Sequence, residues 1–186
     1  GKLILVVYFV AFLHILIVYT PFIALVGKMN PWRFYKGLGE PLLVAFTTCS
    51  SAAALALNMQ AVEKMGASKS ISSFTIPLGN TINMDGAAIY LGVAAIFISE
   101  VFGVPLGFTQ QLTIILIAIL ASIGSVGVPG SALIVMTMVF SAVGLPIEGV
   151  ALVAGVDRIL DMARTPLNIL GDAVGAVIVS KTEGEF

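Results

Sequence analysis

Asp157, Asp161, Arg164, Asn168 and Asp172 recur at spacings of 4, 3, 4 and 4 in a stretch that is otherwise apolar, with GVALVAG before them and LGDAVGAVIV closing the run. At about 100° per residue these intervals place all five within an arc of roughly 80° on one helical face. The surrounding sequence is apolar enough to cross a bilayer. Each ionised group at membrane depth costs on the order of 3 kcal/mol or more unless it faces protein or a watery cavity. Such a stripe is tolerated only where the fold turns it inward, so this helix is expected to line a site.

The rest of the chain supports a membrane setting. It is 59% apolar and 10% charged, against about 25% charged residues in a soluble domain. The sequence opens at Gly1 with neither a start Met nor a basic, apolar, small-residue signal pattern, and so reads as a piece of a longer chain whose earlier spans are missing. A single cysteine, Cys49, excludes an internal disulfide and a Cys-based metal cluster. No basic aromatic patch points to nucleic acid.

Five apolar stretches follow one another. The first, 1–30, is of spanning length and ends in the basic KMNPWRFYK. The second, 38–64, is cut at CSS; each arm is about 10 to 12 residues, too short to span and suited to a re-entrant hairpin. The third, 73–103, is interrupted at NMDG, Asn83 to Gly86. The fourth, 109–145, is cut by SIGSVGVPG, and the fifth, 149–181, holds the polar stripe. Lys28, Arg33, Lys36, Lys64, Lys69 and Lys181 lie between stretches or at the end, whereas the links 103–110 and 144–149 carry no Lys or Arg. If the basic links are cytoplasmic, the two interrupted stretches reach toward the midplane from opposite faces. A Ser-bearing hairpin followed by an Asn/Asp-bearing helix also occurs twice. Inverted repeats with matching interruptions are the best sequence pointer to a secondary transporter's binding site.

Each motif has a plainer reading beside the functional one. Asn and Asp oxygens next to a glycine suit an unwound turn that coordinates a hard cation; the alternative is a kink with Asp85 paired to a neighbouring span. SIGSVGVPG can bind an ion, cap a ligand or simply pack, since its carbonyls must find partners away from lipid. The hydroxyls of Ser50 and Ser51, with nearby N–H groups, suit a carboxylate. Cys49 and Ser50 as nucleophiles lack an acid–base partner, and the only imidazole, His14, lies on another span. His14 itself reads as a proton relay or, preferably, as a helix-face residue meeting a neighbouring span. In the last stretch, Arg158–Asp161 and Asp161–Arg164 are ion-pair neighbours at i,i+3, which leaves Asp157 and Asp172 over. Pro166 frees the carbonyl of Met162. Asp85, Asp157, Asp161 and Asp172 against Arg158 and Arg164 leave a net negative charge at membrane depth that monovalent cations could neutralise.

Taken in order, SSxxxL, PLGNTINMDGAAIY, ASIGSVGVPG and GVDRILDMARTPLNILGD resemble the glutamate/aspartate:cation symporter family, the dicarboxylate/amino acid:cation symporters. The resemblance covers essentially the whole chain. It implies an all-α membrane protein: transmembrane helices, two oppositely oriented re-entrant helical hairpins and an unwound NMDG helix, forming most of an inverted-repeat transport domain. The missing spans would include the scaffold through which family members form homotrimers.

The resemblance also implies roles. Arg164 would take the substrate's side-chain carboxylate and Asp161 its amino group. Thr165 and Asn168 would face the substrate backbone, and Ser50, Ser51, Val126 and Gly127 would supply hairpin contacts. One Na+ site would use Gly79, Asn83, Asn168 and Asp172; a second, carbonyls of Thr81, Ser122, Ile123 and Ser125; a third, Asn83 and Asp85 with residues outside this chain. The segment 122–131 would be the gate. Arg164 together with Asp161 points to aspartate or glutamate over neutral or C4-dicarboxylate substrates. Asp172 points to Na+, because proton-coupled relatives tend to carry Asn there. Ala87 stands where acidic-substrate members often have Thr, and CSSAAA is poorer in hydroxyls than is usual at the first hairpin tip. The expected protein is a cell-membrane secondary transporter and no enzyme. A C4-dicarboxylate or proton-coupled carrier of the same family, and then an ion channel, are the rivals.

Overall fold

The computed structural model describes residues 1–123 and 129–186, and among these every regular element is helical. Helix α1, Lys2–His14, continues without a break through two π-helical turns, Ile15–Tyr19 and Phe22–Val26. Then come α2, Pro31–Gly37; α3, Gly39–Thr48; α4, Ser51–Met65; α5, Lys69–Ile82; and α6, Asp85–Phe102. The remaining helices are α7, Phe108–Ser122; α8, Ser131–Val143; α9, Glu148–Ala154; and α10, Asp157–Thr182.

Local chemistry places several boundaries. Asn30 caps α2, its side-chain oxygen accepting from Trp32 N over 2.9 Å, with Pro31 in the first turn. Ser50 caps α4 through Ala53 N, and Ser68 caps α5 through Ile71 N. That last cap explains why α5 begins at Lys69, earlier than the apolar run from 73 predicts: a hydroxyl on an orphan N–H outweighs the polarity of the first turn. Between α3 and α4, Cys49 takes a left-handed conformation, φ 54°, uncommon for a residue with a Cβ.

The last stretch departs from expectation. A single span over 149–181 is predicted, yet the chain leaves the helix at Gly155 and Val156 and restarts at Asp157. Glycine lowers helical stability here, and a carboxylate in the first turn of α10 is favoured by the positive end of the helix dipole. The stripe therefore begins at a helix N-terminus.

Among the described residues, three helical stretches are long and apolar enough to cross a membrane: Lys2–Val26, Lys69–Phe102 and Asp157–Thr182. The second is interrupted where Asn83 (φ −96°, ψ 89°) and Met84 leave helical geometry. The arms α3, α4, α7 and α8 have 10, 15, 15 and 13 residues. At 1.5 Å per residue even the longer ones reach only about 22 Å, short of a hydrocarbon core of about 30 Å.

Helix α10 is the centre of the packing, in contact with α1, α3, α4, α5, α6 and α9. Two apolar clusters meet along it. One joins Leu3 and Val7 to Tyr90, Ile98, Met136 and Phe140, reaching α10 at Leu160. The other joins Ile23, Phe34, Leu38, Val62 and Ile76 to Leu167, Ala173 and Val177. Between them runs the polar face. Leu5, Phe9, Leu25, Phe108, Leu120 and Ile134 point outward, 61–75% exposed, while all five stripe residues are buried. Charge inside and apolar surface outside is the distribution expected of a membrane protein.

Candidate functional site

Asp157, Asp161, Arg164, Asn168 and Asp172 are 7%, 2%, 5%, 6% and 4% exposed, so the helical spacing delivers all of them to the interior. They divide into three groups along α10.

The middle group forms a pocket. Asp161, Arg164, Thr165 and Asn168 from α10 meet Ser51 at the start of α4 and Ser122 at the end of α7, against an apolar wall that includes Ala87, Leu91 and Val135. The pocket is a narrow cleft, partly open to solvent. Hydrogen bonding in it is lopsided. Asp161 Oδ1 accepts from Arg164 Nη2 at 2.8 Å, Arg164 Nε at 3.1 Å and Thr165 Oγ1 at 2.7 Å. Asp161 Oδ2, Arg164 Nη1 and Ser51 Oγ are buried with no partner among the described residues. Unsatisfied buried polar atoms each cost about 1–3 kcal/mol, more when charged, and call for an explanation. Here one acceptor, one cationic donor and one hydroxyl line the same pocket.

Ser50 does not line this pocket; it is half-buried and caps α4. Val126 and Gly127 lie outside the described residues, as does Ser125, so their expected contacts are not described.

The second group gathers at the C-terminal side of the stripe. The Asn83 side-chain amide donates to Asn168 O over 3.0 Å and to Asp172 Oδ1 over 2.9 Å. The Asn168 side chain in turn accepts from Gly86 N at 2.8 Å and approaches Met84 Sδ at 3.3 Å. Two glycines permit this closeness. A Cβ on Gly79 would stand 2.5 Å from Asp172 Oδ1, and one on Gly171 would stand 2.3 Å from Asn83 Nδ2. Gly79, Asn83, Asn168 and Asp172 are thus brought together around the break between α5 and α6. Asp85, two residues on, turns to α1: Tyr19 Oη donates to its Oδ2 over 2.7 Å and His14 Nε2 lies 3.3 Å from the same oxygen. The plainer reading, Asp85 paired to a neighbouring span, therefore holds for one of its oxygens.

Of the remaining candidates, Thr81 and Ile123 are exposed and Ser122 is buried in the pocket lining. No hydrogen bond joins Thr81 to Ser122 or Ile123 among the described residues. No group of three His, Cys, Asp or Glu side chains converges there either.

The third group is at the start of α10. Tyr90 Oη donates to Asp157 Oδ1 over 2.8 Å, and the Arg164 guanidinium sits 5.0 Å from the centre of the Tyr90 ring. Asp157 thus has a partner that the charge pattern alone does not supply. Arg158 is exposed and reaches toward Thr47 O at 3.5 Å, beside the tip of α3 and α4; of its two expected i,i+3 pairs, Asp161 forms only the one with Arg164. Tyr19 and Tyr90 escape sequence reasoning because each is one aromatic residue among many apolar ones. Their sequence signal is only that a hydroxyl inside a span needs a partner.

A model of the sodium:dicarboxylate symporter family matches residues 1–182. The proton/sodium-glutamate symport protein of Bacillus subtilis (strain 168) is 41% identical over 186 residues, 100% of this chain and 43% of that protein. The proton/glutamate-aspartate symporter of Escherichia coli (strain K12) is 38% identical over 186 residues, 100% of this chain and 42% of that protein. Excitatory amino acid transporter 3 of Mus musculus is 46% identical over 170 residues, 91% of this chain and 32% of that protein. The chain spans less than half the length of these relatives.

Proposed function

The chain belongs to the sodium:dicarboxylate symporter family, and we propose that it forms the substrate- and cation-binding core of a Na+-coupled symporter for aspartate or glutamate in the cell membrane. The observation that carries this reading is the complementary set of buried atoms in the pocket-lining residues that have no partner among the described residues, Asp161 Oδ2, Arg164 Nη1 and Ser51 Oγ. An acidic amino acid matches it: its ammonium group meets Asp161, one carboxylate meets the Arg164 guanidinium, and the other meets Ser51 and neighbouring N–H groups. A planar guanidinium suits a carboxylate better than an ammonium would. The names of the relatives, which include glutamate and aspartate symporters, agree with that substrate class.

The second group supports Na+ as the coupling ion. Asp172, Asn83 and the carbonyl of Asn168 offer hard oxygen ligands beside a broken helix, the type of site that holds coupling ions in secondary transporters. On this reading α3–α4 and α7–α8 are re-entrant hairpins, because their arms are too short to cross. The segment around 122–131 is the gate, and the core moves against scaffold spans that also carry the trimer contacts. Proton coupling is the competing reading, favoured by the proton named for two of the relatives. Uptake driven separately by a Na+ gradient and by a pH gradient decides between them.

The direct test replaces Arg164 with Cys in the complete protein reconstituted in proteoliposomes. Aspartate and glutamate uptake is expected to fall at least a hundredfold while a small neutral amino acid becomes a substrate, the discrimination of about 10² or more expected when a buried charged partner is removed. Unchanged aspartate kinetics would sink the assignment.

A further inference from the structure

A π-helical turn, Ile15–Tyr19, interrupts the α geometry of the first membrane helix. Such turns close i→i+5 rings and are frequent at functional sites. In a regular α-helix two residues five apart point about 140° away from each other, at 100° per residue. The π turn instead sets His14 and Tyr19 on one side, their rings edge to face with centroids 4.8 Å apart. Both turn a polar atom to one oxygen of Asp85. Tyr19 Oη donates to Oδ2 at 2.7 Å, and His14 Nε2, in the tautomer that carries its proton, donates to it at 3.3 Å.

Tyr19 is also anchored on α10. Its hydroxyl lies 3.3 Å from Leu167 O, and a Cβ on Gly171 would come within 2.6 Å of it. The hydroxyl therefore joins α1, α6 and α10 at one point. Asp85 Oδ1 carries no side-chain donor among the described residues, and the carboxylate side chain is 38% exposed. One oxygen is held; the other is presented.

We propose that His14 and Tyr19 are positioning residues for Asp85, fixing Oδ2 so that Oδ1 meets a monovalent cation entering beside Asn83. The inference rests on the cation-coupled reading of Asp85 given above. Ligating carboxylates are themselves held by hydrogen bonds, and loss of such an outer partner typically weakens metal affinity about 10–100-fold. The π turn is the device that lets one helix supply two such donors.

The test uses the complete protein carrying this chain, with two readouts. One is the Na+ concentration for half-maximal uptake at saturating amino acid in proteoliposomes; the other is Na+-dependent thermal stabilisation in detergent without amino acid. Tyr19→Phe keeps the ring and removes the hydroxyl. It is expected to raise the half-saturating Na+ about tenfold in both readouts, with the amino acid KM at saturating Na+ unchanged. His14→Leu is expected to do the same, and His14→Gln, which restores an N–H donor, to recover most of the loss. Asp85→Asn is the reference. If it leaves both Na+ titrations unmoved, the cation reading of Asp85 itself fails. If Asp85→Asn shifts them while Tyr19→Phe and His14→Leu do not, or lower stability equally with and without Na+, the positioning role is overturned and the cation reading stands.

Discussion

Asp172 shows how a single carboxylate acquires a role from its surroundings. Its Oδ1 takes the Asn83 amide, and Gly79 leaves room for it where any Cβ would collide. Asp172→Asn keeps the size of the side chain and removes its charge. On the proposed Na+-coupled function, the expected outcome in the complete protein is a less steep dependence of uptake on Na+ and a higher half-saturating concentration, with amino acid binding at saturating Na+ largely kept; an unchanged Na+ profile would remove Asp172 from the proposed ion path. At this scale the sequence was informative for charged residues, since a helical period of 3.6 and the cost of burying charge together oblige the stripe to face inward. It was uninformative for Tyr19 and Tyr90, because an aromatic residue in an apolar run reads as packing until its hydroxyl is seen on Asp85 or Asp157.

Helices here begin and end where polar groups find partners. Ser68 accepts from Ile71 N at the start of α5, and its hydroxyl donates to Glu185 Oε2 at 2.6 Å near the end of the chain. Ser68→Ala removes the cap and is expected to destabilise the protein by about 1 kcal/mol, read as a lower Tm in detergent with the amino acid KM unaffected; a changed KM with an unchanged Tm would contradict a purely capping role. The same logic accounts for the boundaries that hydropathy misplaces. Hydropathy extends the last stretch through Gly155, whereas backbone propensity and the carboxylate of Asp157 break it there. The π turn at Ile15–Tyr19 has no hydropathy signature at all, because both its faces are apolar apart from the two rings that reach Asp85.

Over the whole molecule, polar groups converge along α10 between two apolar clusters, while large apolar side chains cover the outside. Lipid takes the place of water around such a surface, so helix packing and buried hydrogen bonds must supply cohesion that the hydrophobic effect supplies elsewhere. The protein is therefore expected to remain with membranes after alkaline carbonate washing and to be released by detergent, measured by fractionation and immunoblotting; release by carbonate alone would contradict integral insertion.

The sequence by itself determined that this is a helical membrane protein, that one helix face must be interior and polar, and, through its motifs, which family it resembles. Composition and period carry that information because charge burial and backbone satisfaction leave few alternatives in lipid. Tertiary structure alone decided the long-range partners: that Gly171 admits Asn83, that Tyr90 donates to Asp157, and that a π turn brings His14 and Tyr19 to Asp85. These contacts join residues far apart in the chain, Tyr19 and Asp85 by 66 positions and Tyr90 and Asp157 by 67, and no local pattern encodes them because they arise only once α1, α6 and α10 are packed together.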